Sequence, residues 1–179
     1  MESADAPVLE IEQVKTEENR RTHTGGIVID GEDGCAVKFA KCCNPLPGDE
    51  IIAFVTKGYG VSVHKKDCPN VVIGMKNEEN RSRWKEAEWD TAPGSSDSRA
   101  LYESSILVQA ENTITLLAEV TTALAEMKVS LLAINTQKRT DTSITIHLTV
   151  GCKNIEHFNS ILSRLKGIRS VQSVTRSFG

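Results

Sequence analysis

The chain has 179 residues, a net charge of −3, five cysteines and an aromatic content of only 4%. This length allows one ordinary domain or two small ones, and so few aromatic residues argue against a broad surface for stacking nucleic-acid bases. No apolar stretch approaches the roughly 20 residues that span a bilayer. The acidic N-terminal segment has no secretory signal pattern, and the odd number of cysteines predicts a reducing, cytoplasmic environment rather than a disulfide scaffold.

Composition divides the chain into four segments. Residues 1–24 are acidic and lack a periodic apolar pattern, which predicts a flexible tail. Residues 91–99 are small and polar and include Pro93 and Gly94, so they are expected to form a linker. The linker separates a cysteine module, residues 25–90, from a C-terminal module, residues 100–179.

The cysteine module is predicted to be small and mostly β. Strands are expected over 35–41, 50–56, 61–64 and 83–89, with a hairpin turn over 57–60. A short helix over 69–78 is expected to begin at Pro69, because proline is favoured in the first turn of a helix.

The C-terminal module alternates strands and amphipathic helices. Strands are predicted over 102–110, 129–138, 142–150 and 168–178, and helices over 113–128 and 154–167. The order β-α-β-β-α-β indicates an α+β, ferredoxin-like sandwich with both helices on one face of the sheet. Its spatial strand order is expected to be 4-1-3-2, with a core built from residue 101 onward.

Four potential metal ligands lie in the cysteine module: Cys42, Cys43, His64 and Cys68. The three residues between His64 and Cys68 give a spacing that zinc sites use, whereas the adjacent pair Cys42 and Cys43 departs from the usual knuckle. The alternative is a small domain with buried free thiols. Cys35 and Cys152 have no partner in sequence and are expected to be core thiols.

Three sequence blocks carry a family resemblance. Residues 41–51 (KCCNPLPGDEI), 56–64 (TKGYGVSVH) and 67–70 (DCPN) closely resemble the long RelA/SpoT-type stringent-response enzymes. The resemblance covers about residues 25–179 and implies a zinc-finger, or conserved-cysteine, domain followed by an ACT domain, also described as RRM-like. It also implies that the family's zinc ligands correspond to Cys42, Cys43, His64 and Cys68, in a structural zinc site.

The resemblance implies regulation rather than catalysis. Enzymes of this family make and hydrolyse the alarmone (p)ppGpp in two N-terminal catalytic domains of several hundred residues. This chain has neither the His-Asp metal motif of the hydrolase nor a long nucleotide-binding domain for the synthetase. We therefore expect no catalytic residues and a C-terminal regulatory part that controls the catalytic domains of a parent GTP pyrophosphokinase, which is either a synthetase only or also a hydrolase.

Ribosome docking is the first functional expectation from the resemblance. The family's C-terminal domains bind stalled ribosomes near ribosomal RNA and uncharged tRNA. Basic side chains give affinity for phosphates without reading sequence. The candidate contacts in the cysteine module are Lys38, Lys41, Lys57, Lys65 and Lys66. Those in the C-terminal module are Lys153, Arg164, Lys166, Arg169 and Arg176.

Amino-acid sensing is the alternative expectation. ACT domains bind amino acids at a glycine-containing loop between the first strand and the first helix. The corresponding candidates here are Asn112, Thr113 and Thr115. Thr115 stands at the glycine position, where a ligand needs close approach to the backbone. ACT domains also pair, so a weak homodimer is expected through the edge strands 129–138 and 168–178.

Overall fold

The structure, a computed structural model, describes residues 23–24, 26–31, 35–58, 60–91 and 100–178. The acidic segment 1–22 and residues 92–99 of the expected linker lie outside the described residues. None of the described helices has the length and apolar character needed to cross a bilayer.

A six-stranded sheet forms the cysteine module. Its strands are β1 (His23–Thr24), β2 (Ile27–Ile29), β3 (Ala36–Phe39), β4 (Ile51–Val55), β5 (Gly60–Lys65) and β6 (Trp84–Trp89). They lie in the order β1-β2-β6-β4-β5-β3. Only the pair β3 and β5 is parallel among these described strands. The predicted strands from residue 35 onward are confirmed: β3, β4 and β6 are shorter than predicted, and β5 is one residue longer at each end. Strands β1 and β2 were not predicted, and His23–Thr24 falls in the expected tail.

Two short helices replace the single predicted helix over 69–78. α1 (Pro69–Gly74) begins at the predicted proline, and α2 (Glu78–Arg81) follows after a break. Asn77 starts α2, because its side chain accepts a hydrogen bond from the backbone N–H of Glu79. This cap gives the second helix its own beginning, which the residue periodicity did not reveal.

The C-terminal module has the predicted β-α-β-β-α-β order. Its elements are β7 (Tyr102–Glu111), α3 (Leu116–Glu126), β8 (Ser130–Lys138), β9 (Ser143–Cys152), α4 (Ile155–Lys166) and β10 (Val171–Ser177). The strand order β10-β7-β9-β8 confirms the predicted 4-1-3-2 topology. Helix α3 is shorter than predicted. It ends before Lys128, whose φ of 55° lies in the left-handed region and interrupts the helical backbone.

Amphipathic helices close the C-terminal core over one face of its sheet. Helix α3 buries Leu116, Val120, Ala123 and Leu124, and α4 buries Phe158, Ile161 and Leu165. Asn154 caps α4 by accepting a 2.8 Å hydrogen bond from the backbone N–H of His157. This packing agrees with the 3.6-residue periodicity of the sequence.

The expectation that this core uses only residues from 101 onward is wrong. Leu46, from the cysteine module, is fully buried in the same hydrophobic cluster as Ile106 and Phe158. A loop of one module therefore completes the core of the other. We call residues 44–49 the docking loop.

Candidate metal centre

Three neighbouring elements carry the four predicted ligands. Cys42 and Cys43 lie in the turn that follows β3, His64 is on β5, and Cys68 is the residue that precedes α1. The parallel pairing of β3 with β5 brings the turn beside His64. Because the strand ends at Phe39 rather than at the predicted residue 41, the adjacent cysteines follow turn geometry instead of pointing to opposite faces of a strand.

Backbone hydrogen bonds hold that turn. The N–H groups of Cys43 and Asn44 both donate to the carbonyl oxygen of Ala40, at 3.3 and 2.9 Å. Asn44 has a φ of 42°, a left-handed conformation that asparagine tolerates better than most residues. The turn directs both cysteine side chains toward the same point.

All four ligand atoms lie within 4.8 Å of one another. The Sγ atom of Cys42 is 3.4 Å from His64 Nδ1, 3.6 Å from Cys68 Sγ and 4.0 Å from Cys43 Sγ. The Sγ atom of Cys43 is 3.9 Å from the same His64 nitrogen. A tetrahedral ion with metal–sulfur bonds of about 2.3 Å and metal–nitrogen bonds of about 2.0 Å needs sulfur–sulfur separations of about 3.8 Å and sulfur–nitrogen separations of about 3.5 Å. The cluster therefore fits a metal ion.

Neighbouring groups orient two of the ligands. His64 Nε2 lies 3.2 Å from the hydroxyl of Ser62, which leaves Nδ1 facing the thiols. The backbone N–H of Lys65 donates to Cys43 Sγ at 3.3 Å. Ala40, Ile52 and Val71 pack around the site and shield it from solvent.

Burial disfavours charge at this cluster when no cation is bound. It raises the pKa of the Cys43 thiol to about 12, although the N–H of Lys65 acts in the opposite direction. Burial also lowers the pKa of His64, which favours the neutral imidazole that binds metals. A bound cation would supply the charge that allows the buried sulfur to be a thiolate.

The remaining cysteines lie outside the cluster, as predicted. Cys152 is buried in the C-terminal core, where burial raises its pKa to about 11. Cys35 packs against the core of the cysteine module.

The candidate phosphate contacts differ in exposure and pairing. Lys38, Lys41, Lys57 and Lys166 are exposed. None of these four forms an ion pair with a described residue.

Other candidate phosphate contacts are paired with acidic side chains. Lys66 pairs with Glu86 at 2.9 Å, and this contact raises the pKa of Lys66. Arg164 pairs with Glu126, while Lys153 and Arg169 are exposed.

Lys65 and Arg176 do not fit the predicted phosphate contacts. Lys65 is buried, with Nζ 3.2 Å from Asp67 and 5.3 Å from the centroid of the Phe178 ring. Arg176 donates two hydrogen bonds to the Asp49 carboxylate, at 3.0 and 2.8 Å, and one to the carbonyl of Asn44, at 2.7 Å. Both side chains therefore contact other groups of the chain instead of facing solvent, where a phosphate would bind.

The three predicted ligand-loop residues do not converge on one cavity. Asn112 and Thr113 line a cavity of about 460 Å³ together with Asp141 and Gln172. Thr115 lines a different groove, beside Arg164 and Arg169. Its hydroxyl donates to the Glu119 carboxylate at 2.6 Å, a contact within the first turns of α3.

The docking loop is the feature that the sequence did not predict. The Pro47 carbonyl accepts the backbone N–H of Ile155 at 2.9 Å, at the first residue of α4. Gly48 has a φ of 101°, which favours glycine, and a Cβ atom at this position would clash with the Ile155 side chain. The ring of Tyr102 also packs on Phe39 and Trp89, with centroids 5.5 and 5.6 Å away. The cysteine module and the C-terminal module thus contact each other through the docking loop and through the ring of Tyr102.

Comparisons with known proteins identify both modules. The family model described as the RelA/SpoT RIS domain matches residues 27–90, and that of the ACT domain matches residues 98–176. A GTP pyrophosphokinase of Streptomyces coelicolor is 36% identical over 84% of this chain and 17% of its own length. A bifunctional (p)ppGpp synthase/hydrolase RelA of Mycobacterium tuberculosis is 34% identical over 88% of this chain and 20% of its own length.

A solved structure also matches. The crystal structure of the ACT domain from a GTP pyrophosphokinase of Chlorobium tepidum is 17% identical, with a TM-score of 0.39 over 43% of this chain and 99% of that chain. The chain spans about a fifth of the length of the two curated relatives described above.

Proposed function

We propose that this chain controls the catalytic domains of a RelA/SpoT protein and catalyses no reaction itself. The proposal is supported by its RIS and ACT domains, which fit the C-terminal regulatory region of such a protein. The parent is proposed to be a GTP pyrophosphokinase, as the names of the relatives indicate, and to be cytoplasmic. A (p)ppGpp hydrolase activity in the same parent is the further option, since one relative is named as bifunctional.

We propose that the metal is zinc with a structural role. Three cysteines and one histidine are a common structural zinc set, and four protein ligands leave no coordination position for a reacting water. When bound, zinc supplies the positive charge that stabilises the thiolates. Cys42, Cys43, His64 and Cys68 would hold it, and Ser62 would orient the imidazole.

We propose that the chain regulates its parent by docking to the ribosome, with ribosomal RNA and uncharged tRNA as partners. The observation that carries this proposal is that five of the candidate lysines, on both modules, are exposed and form no ion pair with a described residue: Lys38, Lys41, Lys57, Lys153 and Lys166. Such ammonium groups are free to replace the counterions of RNA phosphates. The shared interface between the modules lets both present their lysines together.

Charge reversal tests this docking. Lys57→Glu and Lys166→Glu are expected to weaken cosedimentation of the chain with vacant ribosomes, and each is expected to reduce the salt slope of binding by about one. The matched control is Lys76→Glu, which changes charge equally at an exposed position outside the proposed set. Circular dichroism checks that each variant is folded. Equal binding of all three variants and the unmodified chain would reject the proposed contacts.

The exposed edge of the C-terminal sheet supports a weak homodimer as part of the proposal. Strand β8 is an edge, and all nine of its residues are exposed, including Leu131, Leu132 and Ile134. An unpaired strand with apolar side chains is a ready surface for pairing with a second copy. At the opposite edge, Arg176 of β10 donates a hydrogen bond to Asp49 of the docking loop. We therefore propose that the chain dimerises through β8.

Amino-acid sensing is the competing function. The cavity beside Asn112 and Thr113 favours it, because its polar lining resembles a site for a small polar ligand. Thr115 argues against it, because its side chain occupies the position of the close-approach glycine. A millimolar amino acid that raises the melting temperature of the unmodified chain would favour sensing over docking.

A further inference from the structure

The two segments that carry three of the metal ligands are also the segments that contact the end of β10. Cys43 is followed directly by the docking loop, and Asn44 already accepts a hydrogen bond from Arg176. His64 is followed by Lys65, whose ammonium lies against the ring of Phe178. Arg176 of β10 and Phe178 just beyond it therefore contact the residues that directly follow Cys43 and His64.

These contacts are buried and specific rather than incidental. The side chains of Asp49 and Arg176 are both almost fully buried, and they form a two-point ion pair. The Asp49 carboxylate also accepts the backbone N–H of Leu46 at 2.7 Å, and the Asp49 carbonyl accepts the indole N–H of Trp89 at 3.0 Å. A shift of Asp49 would therefore disturb the loop, the ion pair and the buried Leu46 together.

The backbone of Lys65 joins the two sides. Its N–H donates to Cys43 Sγ, while its side chain reaches Asp67 and Phe178. Movement of the Cys43 sulfur would therefore shift both residues 42–49 and residues 64–65. Interfaces built from packed side chains and buried pairs have a few discrete arrangements rather than a continuous range.

From these contacts we propose that metal binding and docking of the C-terminal module are thermodynamically coupled. The metal-bound cluster holds residues 42–49 and 64–65 in the form that accepts β10 and α4, and loss of the metal releases that interface. The cysteine–histidine cluster is then a control point for the relative placement of the two modules. The inference rests on the proposed metal site and is independent of ribosome docking.

Coupling between two sites is reciprocal, so changes at the interface must alter metal affinity. Arg176→Ala removes the ion pair without touching any ligand atom. It is expected to weaken zinc binding by the full chain about 5- to 150-fold, the usual range of such couplings. Phe178→Ala is a milder second variant, because this ring is half exposed, and it is expected to act in the same direction with a smaller effect. Arg169→Ala is the control, at an exposed arginine of the same module.

Zinc affinity of the full chain is measured by competition with a chromophoric chelator. Weaker binding by Arg176→Ala and Phe178→Ala, with no change for Arg169→Ala, supports the coupling. Zinc binding by all variants with equal affinity overturns the coupling and leaves the metal site intact. A chain that binds no zinc overturns the metal site and the coupling with it.

Hydrogen exchange of the unmodified chain gives the second readout. The Ile155 amide, which donates to the Pro47 carbonyl, is expected to exchange at least tenfold faster after zinc is removed. The Val108 amide, in the centre of the C-terminal sheet, is expected to lose less protection than the Ile155 amide, because only Leu46 of the docking loop belongs to its core. Unchanged protection of Ile155, or equal loss at both amides, contradicts a release confined to the interface.

Discussion

Replacing Cys68 by serine is expected to abolish stoichiometric zinc binding and to unfold the cysteine module at temperatures where the unmodified chain is folded. The reason is that a closed structural site contributes its binding free energy to folding, about 10–16 kcal/mol in zinc-finger peptides. The serine hydroxyl is a poor substitute for a thiolate, and the site has no spare ligand among the described residues. Native mass spectrometry measures the metal, and thermal melting measures the stability.

A matched control is Cys35→Ser, because Cys35 is half-buried in the same module but outside the cluster. This variant is expected to retain one zinc per chain. A Cys68→Ser chain that melts like the unmodified chain would leave the cysteines as ordinary buried thiols.

Replacing Leu46 by alanine is expected to destabilise the C-terminal module, although Leu46 belongs to the cysteine module. The side chain is fully buried among Ile106, Phe158 and their neighbours, and truncation of a buried leucine costs about 2–5 kcal/mol. Urea unfolding followed by hydrogen exchange of β7 and β9 amides measures the effect where it is expected. Stability is lost because the truncated side chain leaves a cavity inside the core of the C-terminal module.

The control for this variant is Leu101→Ala, because Leu101 is half exposed and adjacent to the same sheet. Its cost is expected to be small, within about 0.5 kcal/mol of zero, as for most surface changes. A Leu46→Ala chain as stable as the Leu101→Ala chain would show that the two modules fold independently, as the sequence had indicated.

Residue type and periodicity were enough to predict the four candidate ligands and the C-terminal topology. Cys42, Cys43, His64 and Cys68 are chemically distinctive, and the alternation around Ile146 and Leu148 marks a half-buried strand. The family resemblance then assigned the four ligands to one site, and the structure brings them together.

The interface between the modules could not be predicted in the same way. Asp49 and Arg176 are separated by 127 positions, and each reads as an ordinary surface charge. The docking loop has no periodicity, because its residues follow turns instead of a helix or strand. The burial of Lys65 was not predicted for the same reason, since its ammonium lies against Phe178, 113 positions further along the chain.

Cosedimentation of the unmodified chain with vacant and tRNA-loaded ribosomes over a salt series tests the proposed docking most directly. The proposal predicts binding that falls linearly on a log–log plot as salt rises, because each phosphate contact releases counterions. Five engaged lysines predict a slope of roughly −3.5 to −4.5, from about 0.7–0.9 per phosphate. Absent binding, or binding that is unchanged across the series, would contradict docking through the exposed lysines.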